Sequence, residues 1–156
     1  MAEDIEISFN IEDLSQDVLD NVERAVERSL YAAGITVQKG ATDSISGLYT
    51  EENRAVKTGR LRASISFITS SQQSGGEKNK PENAKETDAL RGIAEPHTMI
   101  FGSNVEYAAA VHNGMWTSEA GGKNKKYKVR PFLREGLDRS RDEIRDLIER
   151  IFKGEL

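Results

Sequence analysis

A chain of 156 residues with 37% hydrophobic and 31% charged residues and a net charge of -4 has the size of one domain, whose core covers roughly two-thirds of the unfolded surface. With no cysteine it can form neither a disulfide framework nor a thiolate metal site, and no apolar run approaches the roughly 18 residues of a membrane span. Met1-Ala2-Glu3-Asp4 lacks the basic and apolar regions of a signal peptide, so a soluble protein without a membrane partner is expected.

In chain order, Ile5, Ile7 and Phe9 alternate with Glu6 and Ser8, the period-two pattern of a strand with one buried face. Asn10 suits a helix cap, and Phe9 and Leu14 stand at the positions of a hydrophobic staple, so a helix is predicted from about Ile11. Leu14, Val18, Val22, Ala25, Ser29 and Ala32 or Ala33 then recur at helical steps. Gly34 marks a bend or a close approach to another backbone, and the helix ends between Gln38 and Ser46. Thr58 caps a single turn through Arg60 and Leu61, followed by a strand with Ile65, Phe67 and Thr69 on one face and Ser64, Ser66 and Ile68 on the other.

Residues 71–96 are rich in serine, glutamine, glycine, lysine and asparagine, and read as an extended polar loop between two paired strands. The second strand of that pair runs from about His97 to Gly102, with Met99 and Phe101 on one face and Ile100 on the other. Tyr107, Ala108 and Val111 suit a short helical turn ending at Asn113-Gly114. Residues 115–128 form a second polar loop carrying Lys123, Lys125, Lys126 and Lys128. Pro131 fits the first helical position of a last helix, with Leu133, Leu137, Ser140, Ile144, Leu147 or Ile148, and Ile151 on one face to about Phe152 and a stop at Gly154. The whole, residues 1–156, reads as a single α+β domain: a small, mostly antiparallel sheet packed against a long N-terminal helix and a C-terminal helix, with long polar loops.

Candidate chemistry is sparse. His97 and His112 sit in no recognised catalytic phrase, and Ser64 and Ser103 lack the Gly-x-Ser-x-Gly setting of a nucleophile elbow. Two histidines at unrelated spacing do not make a zinc site, and Gly121-Gly122-Lys123-Asn124 lacks the spacing and terminal hydroxyl of a phosphate loop. Neither enzyme activity, a cofactor nor a metal is expected. Charge is unevenly spread: residues 1–50 carry three basic and ten acidic groups, and residues 99–136 six basic and three acidic. Such polarity suits stacking of unlike protein surfaces better than coating DNA. Lys123, Lys125, Lys126, Lys128, Arg130 and Arg134, with Tyr127 interleaved, keep a DNA-binding reading open.

Three phrases stand out: Thr58-Gly59-Arg60-Leu61-Arg62-Ala63-Ser64-Ile65, Gly102-Ser103-Asn104-Val105-Glu106-Tyr107-Ala108, and Arg130-Pro131-Phe132-Leu133-Arg134. In this order the chain resembles the bacteriophage tail-completion, or head-tail joining, family of the phage neck. It departs from the family pattern at Arg54-Ala55-Val56-Lys57, where a proline is usual, at His112-Asn113-Gly114, where a glutamate and an aromatic precede the glycine, and at Glu135, where a second proline is usual. The resemblance implies a virion protein, made in the bacterial host cytoplasm, whose copies form a hexameric ring. That ring completes the upper end of the tail between a head-side connector or head-completion protein and a tail terminator or tail tube protein, leaving a channel with transient DNA contact. Alternatives are a tail terminator that caps tube growth and a DNA-binding accessory protein.

Within the phrases, Gly59 and Gly102 supply turn geometry, and Leu61, Ile65, Tyr107, Phe132 and Leu133 are expected in the core. Arg60, Arg62, Arg130 and Arg134 are expected to pair with carboxylates of a neighbouring subunit, since a guanidinium fork suits such contacts. His112 and Lys123, Lys125 and Lys126 complete the expected interface.

Overall fold

The computed structural model describes residues 16–49, 59–116, 125–126 and 128–154. Its frame is a pair of helices. Helix α1 spans Gln16–Ile45, and helix α4, the last element of the chain, spans Phe132–Phe152. The expected end of α1 is met at Ile45, whereas its predicted start and the strand at residues 5–9 lie outside the described residues. Ser29, Ala33, Thr36, Val37, Gly40, Ala41 and Ser44 follow one another at one-, three- and four-residue steps and form the buried side of α1.

The two helices run antiparallel, because Ser44 donates to Glu135 at 2.5 Å while Thr36, two turns earlier, accepts from Ser140 at 3.4 Å. Between these contacts the backbones meet without an intervening side chain. A Cβ on Gly40 would stand 2.6 Å from Ser140 Oγ and 2.8 Å from the Gly136 carbonyl, and one on Gly136 would run into the Ala41 backbone. Thr36, Gly40 and Ser44 on one helix and Gly136 and Ser140 on the other thus let the helices close to backbone contact, a device that apolar periodicity does not reveal.

Helix α2 (Arg60–Ser64) leads into strand β1 (Ser66–Thr69), which pairs antiparallel with β2 (Met99–Gly102) in the register Ser66 with Gly102 and Thr69 with Met99. The predicted pairing of these two segments is therefore present, but each strand begins two residues later than expected, since Ser64 belongs to α2 and Ile65 caps it. His97 is held in a left-handed turn at φ 59°, which no strand residue adopts. The sheet lies on α1: the Phe67 ring occupies the space where Gly34 would carry its Cβ, and Tyr31 meets that ring edge-on at 5.5 Å. Gly34 thus accommodates a side chain where a backbone or a bend was expected. Gln38 Nε2 donates to the Ile65 carbonyl at 2.9 Å, and Ser70 and Ser71 donate to Glu27 at 2.6 and 2.8 Å, so β1 runs opposite to α1.

The stretch 71–96 was expected to extend as an arm. Instead it folds back over β1 and α2: Ser74 N-H donates to the Phe67 carbonyl, Glu77 N-H to that of Ala63 and Ala94 N-H to that of Thr69. Ala89 and Ala94 are buried against the body, and a short 3-10 turn, Glu86–Asp88, buries Asp88. Backbone and side-chain hydrogen bonds, with the carboxylates of Asp88 and Glu77, hold this segment, which is why its poor apolar content misleads.

Helix α3 (Ala108–Asn113) ends at Gly114, as the Asn-Gly pair predicts, and strands β3 (Met115–Trp116) and β4 (Lys125–Lys126) pair antiparallel where a plain loop was expected. Pro131, expected at the first helical position, stands one residue before α4, and Gly154, φ 73°, follows the end of the helix. A core of Ala41, Ile45, Leu61, Ile65, Val105, Ala108 and Phe132 joins α1, α2, α3 and α4, with Tyr107, Val111 and Leu133 packed against it. The architecture is α+β, a long helix packed on a C-terminal helix with a small antiparallel sheet, as the sequence predicts.

Candidate functional site

The first two sequence phrases meet at one guanidinium. Gly59, at φ 79°, starts α2 and lets Ala63 N-H close the first turn on its carbonyl at 2.9 Å. One residue on, Arg60 points inward and is only 8% exposed. Its Nε and Nη2 donate to the two oxygens of Asp88 at 2.8 and 2.7 Å, and Nη1 and Nη2 donate to the two oxygens of Glu106 at 2.9 Å each. Such twofold bidentate pairing is the geometry that a planar guanidinium offers and an ammonium does not. Tyr107 closes one side, its ring centroid 5.8 Å from Arg60 Cζ.

The carboxylates are themselves positioned by backbone. Asp88 Oδ2 accepts the Lys85 N-H at 2.8 Å, and its carbonyl accepts Asn104 N-H at 2.8 Å. Asn104 Nδ2 reaches the Ala89 carbonyl at 3.1 Å, which ties the 3-10 turn to the second phrase. Ser64 and Ser103 share a 2.6 Å hydroxyl contact, and Ser103 Oγ accepts the Val105 N-H at 3.1 Å. The Ser64 and Ser103 hydroxyls are therefore used to join α2 to the turn before α3, and among the described residues neither is hydrogen-bonded to a histidine.

The charges respond as this arrangement requires. Hydrogen bonds donated to Asp88 and then to Glu106 hold Arg60 above its ordinary value, and the same bonds hold both carboxyls below theirs. Burial raises the Tyr107 phenol, with the Arg60 charge opposing it. Because the folded Asp88 and Glu106 titrate lower than unfolded carboxyls, their contribution to stability is complete above about pH 5 and is lost as the pH falls through the depressed folded values. Urea titrations from pH 6 to pH 2 are expected to show this loss. In Asp88→Asn the acid-dependent drop in Tm should shrink by a few degrees, on the order of 2–4 °C, and an unchanged profile would contradict the assignment.

Of the residues expected at an interface, Arg60 pairs with Asp88 and Glu106 of its own chain and is buried, which leaves little of it for a neighbouring subunit. Arg62 also has an internal partner, Glu77 Oε1, 3.3 Å from its Nε, an ion pair short of a directed hydrogen bond. His112 is half-buried, edge-on to Phe132 at 5.5 Å, with Nδ1 3.1 Å from Asn113 Oδ1. Arg130 N-H donates to the Val111 carbonyl at 3.1 Å, which anchors the third phrase on α3. Arg134 is exposed on the first turn of α4, Lys125 and Lys126 form β4, and Lys123 lies outside the described residues.

The expected core residues are placed as follows: Leu61, Ile65 and Phe132 are buried, Tyr107 and Leu133 half-buried, and Gly102 ends β2. Asp88 and Glu106 escaped the sequence reading. Glu106 stood inside a recognised phrase, whereas Asp88 lay in a stretch set aside for its polarity, with only the following Ala89-Leu90 as a sign of burial. Among the described residues no group of three histidines or carboxylates has the arrangement to hold a metal ion, and no helix is long and apolar enough to cross a membrane. Comparison with protein-family models, curated proteins and solved structures found no match.

Proposed function

We propose that this protein is a structural component of a tailed-phage neck, forming a ring that completes the upper end of the tail and joins it to the head connector around a DNA channel. The observation that carries this reading is the convergence of the three phrases that resemble the tail-completion family. Arg60 of the first grips Glu106 of the second, while Leu61, Ile65, Val105, Ala108 and Phe132 from all three share one core. Residues far apart in sequence form a single unit, which supports treating the phrases as one inherited device rather than three chance matches.

In this role each subunit contributes geometry and no turnover. Internal ion pairing makes a stiff body, and contacts that are weak singly become lasting when repeated around a ring. The ring in this reading is a hexamer, placed between a head-completion or connector protein and a tail terminator or tube protein in the virion.

Electron microscopy of lysates from the parent phage with a stop codon in this gene provides the test. DNA-filled heads beside unattached tails of normal length are expected. Overlong tails would move the assignment to a tail terminator, and intact infectious particles would overturn the neck reading.

A further inference from the structure

Helix α1 is longer than the body it lies on. With Thr36 accepting from Ser140 in antiparallel helices, the last residue of α4, Phe152, falls near the level of Arg24. On the other side, Glu27 holds Ser70 and Ser71 just past the end of β1. Residues 16–23, about 12 Å of helix, therefore stand beyond both elements, and all of them except Val22 are exposed. This overhang carries Asp17, Asp20 and Glu23 and no basic residue, with Val18 39% and Leu19 36% exposed.

The rest of α1 presents the opposite chemistry. Arg24, Arg28, Tyr31, Ile35 and Lys39 follow one another at three- and four-residue steps and form one exposed stripe, turned away from the Ser29, Ala33, Thr36 and Gly40 side that meets α4. All three basic residues of the first 50 fall on it. The one carboxylate in the same span, Glu27, is turned aside to Ser70 and Ser71. Tyr31 and Ile35, 37% and 49% exposed, are large apolar groups set between the cations. An acidic end and a basic stripe, each with apolar side chains, are complementary in charge and in character. They lie one after the other on a single helix, so they cannot meet within one molecule, and the matching face is supplied by another copy of the chain.

We propose that the α1 overhang of one copy docks on the exposed α1 stripe of a second copy, with Val18 and Leu19 against Tyr31 and Ile35 and with Asp17, Asp20 and Glu23 beside Arg24, Arg28 and Lys39. Because the two faces are unlike and every copy carries both, the contact repeats head to tail, which closes into a ring or runs on as a filament. This deepens the ring of the neck reading by naming the faces that meet, and it rests on that reading for closure alone.

The chain has no cysteine, so one introduced into each of two copies reports only their contact. When full chains carrying Leu19→Cys and Ile35→Cys are mixed under mild oxidation, a disulfide-linked heterodimer is expected on non-reducing gels, in excess of the homodimer that either chain forms alone. Reversing the overhang of the Leu19→Cys chain with Asp17→Lys, Asp20→Lys and Glu23→Lys is expected to cut the yield about tenfold or more. Reversing the stripe of the Ile35→Cys chain as well, with Arg24→Glu, Arg28→Glu and Lys39→Glu, is expected to restore it, with circular dichroism checking that the variants keep their helices. Absence of the link between the two unreversed chains, which needs no charge variant to fold, would overturn the proposal. So would homodimers in equal yield, a yield that the first reversal leaves unchanged, or one that the second does not restore. A missing link together with unattached tails in the lysate would place the ring contact on other faces and leave the neck reading standing, whereas a link formed by a chain dispensable for infection would keep these faces and remove the neck.

Discussion

Gly136→Val is expected to destabilise the protein by about 3 kcal/mol, the upper end of the cost of overpacking a well-filled contact. The reason is local and steric: any Cβ at this position runs into the Ala41 backbone of α1, and backbone, unlike the end of a side chain, cannot turn aside. Gly136→Ala should still cost about 1–2 kcal/mol. In a solvent-facing helix the same change would stabilise by about 1 kcal/mol, so the sign of the effect separates helix propensity from helix contact. Urea unfolding monitored by circular dichroism gives the answer directly, and an alanine variant with a raised midpoint would show that α1 and α4 do not approach through Gly40 and Gly136. The polar contacts around this crossing follow the same closeness, with Ser44 and Arg139 both on Glu135 and Arg139 over the Tyr49 ring at 4.5 Å.

Phe67→Ala is the second large effect, a loss of about 3–5 kcal/mol, because the side chain is fully buried and packed between the sheet and α1. Its partner is an absence, the missing Cβ of Gly34. In the native background Gly34→Ala is expected to destabilise, since the new methyl would fall within the Phe67 ring. Once Phe67 has become alanine, the same substitution fills part of the cavity and regains helix propensity, so it should stabilise by roughly 1 kcal/mol. A double-mutant cycle with the same sign for Gly34→Ala in both backgrounds would mean that the ring does not rest on α1 at this point.

These two sites differ from the Arg60 cluster in what they can disclose. Glycine and phenylalanine report how closely the layers approach, whereas Asp88 and Glu106 report how the phrases are held to one another. The acid titration of Asp88→Asn therefore addresses the site itself, while the phage lysate addresses the proposed role.

Local pattern was enough for α1, β1, β2, α3 and α4, since each repeats apolar residues at the period of its own backbone and is bounded by residues such as Asn113-Gly114, Pro131 and Gly154 that act on their immediate neighbours. The α+β class followed from the order of those elements. It was enough, too, for the buried positions of Leu61, Ile65 and Phe132, whose apolar side chains have few alternatives to a core. The choice of partners was another matter. Arg60 might have met carboxylates of any chain, and its pairing with Asp88, 28 residues away, and Glu106, 46 residues away, depends on the fold that carries a polar stretch back over α2. Small residues likewise carry no apolar signal, so Gly40 and Gly136 became meaningful only when two helices met backbone to backbone. Contacts made along the chain leave a periodic trace in it, and contacts made across the chain do not.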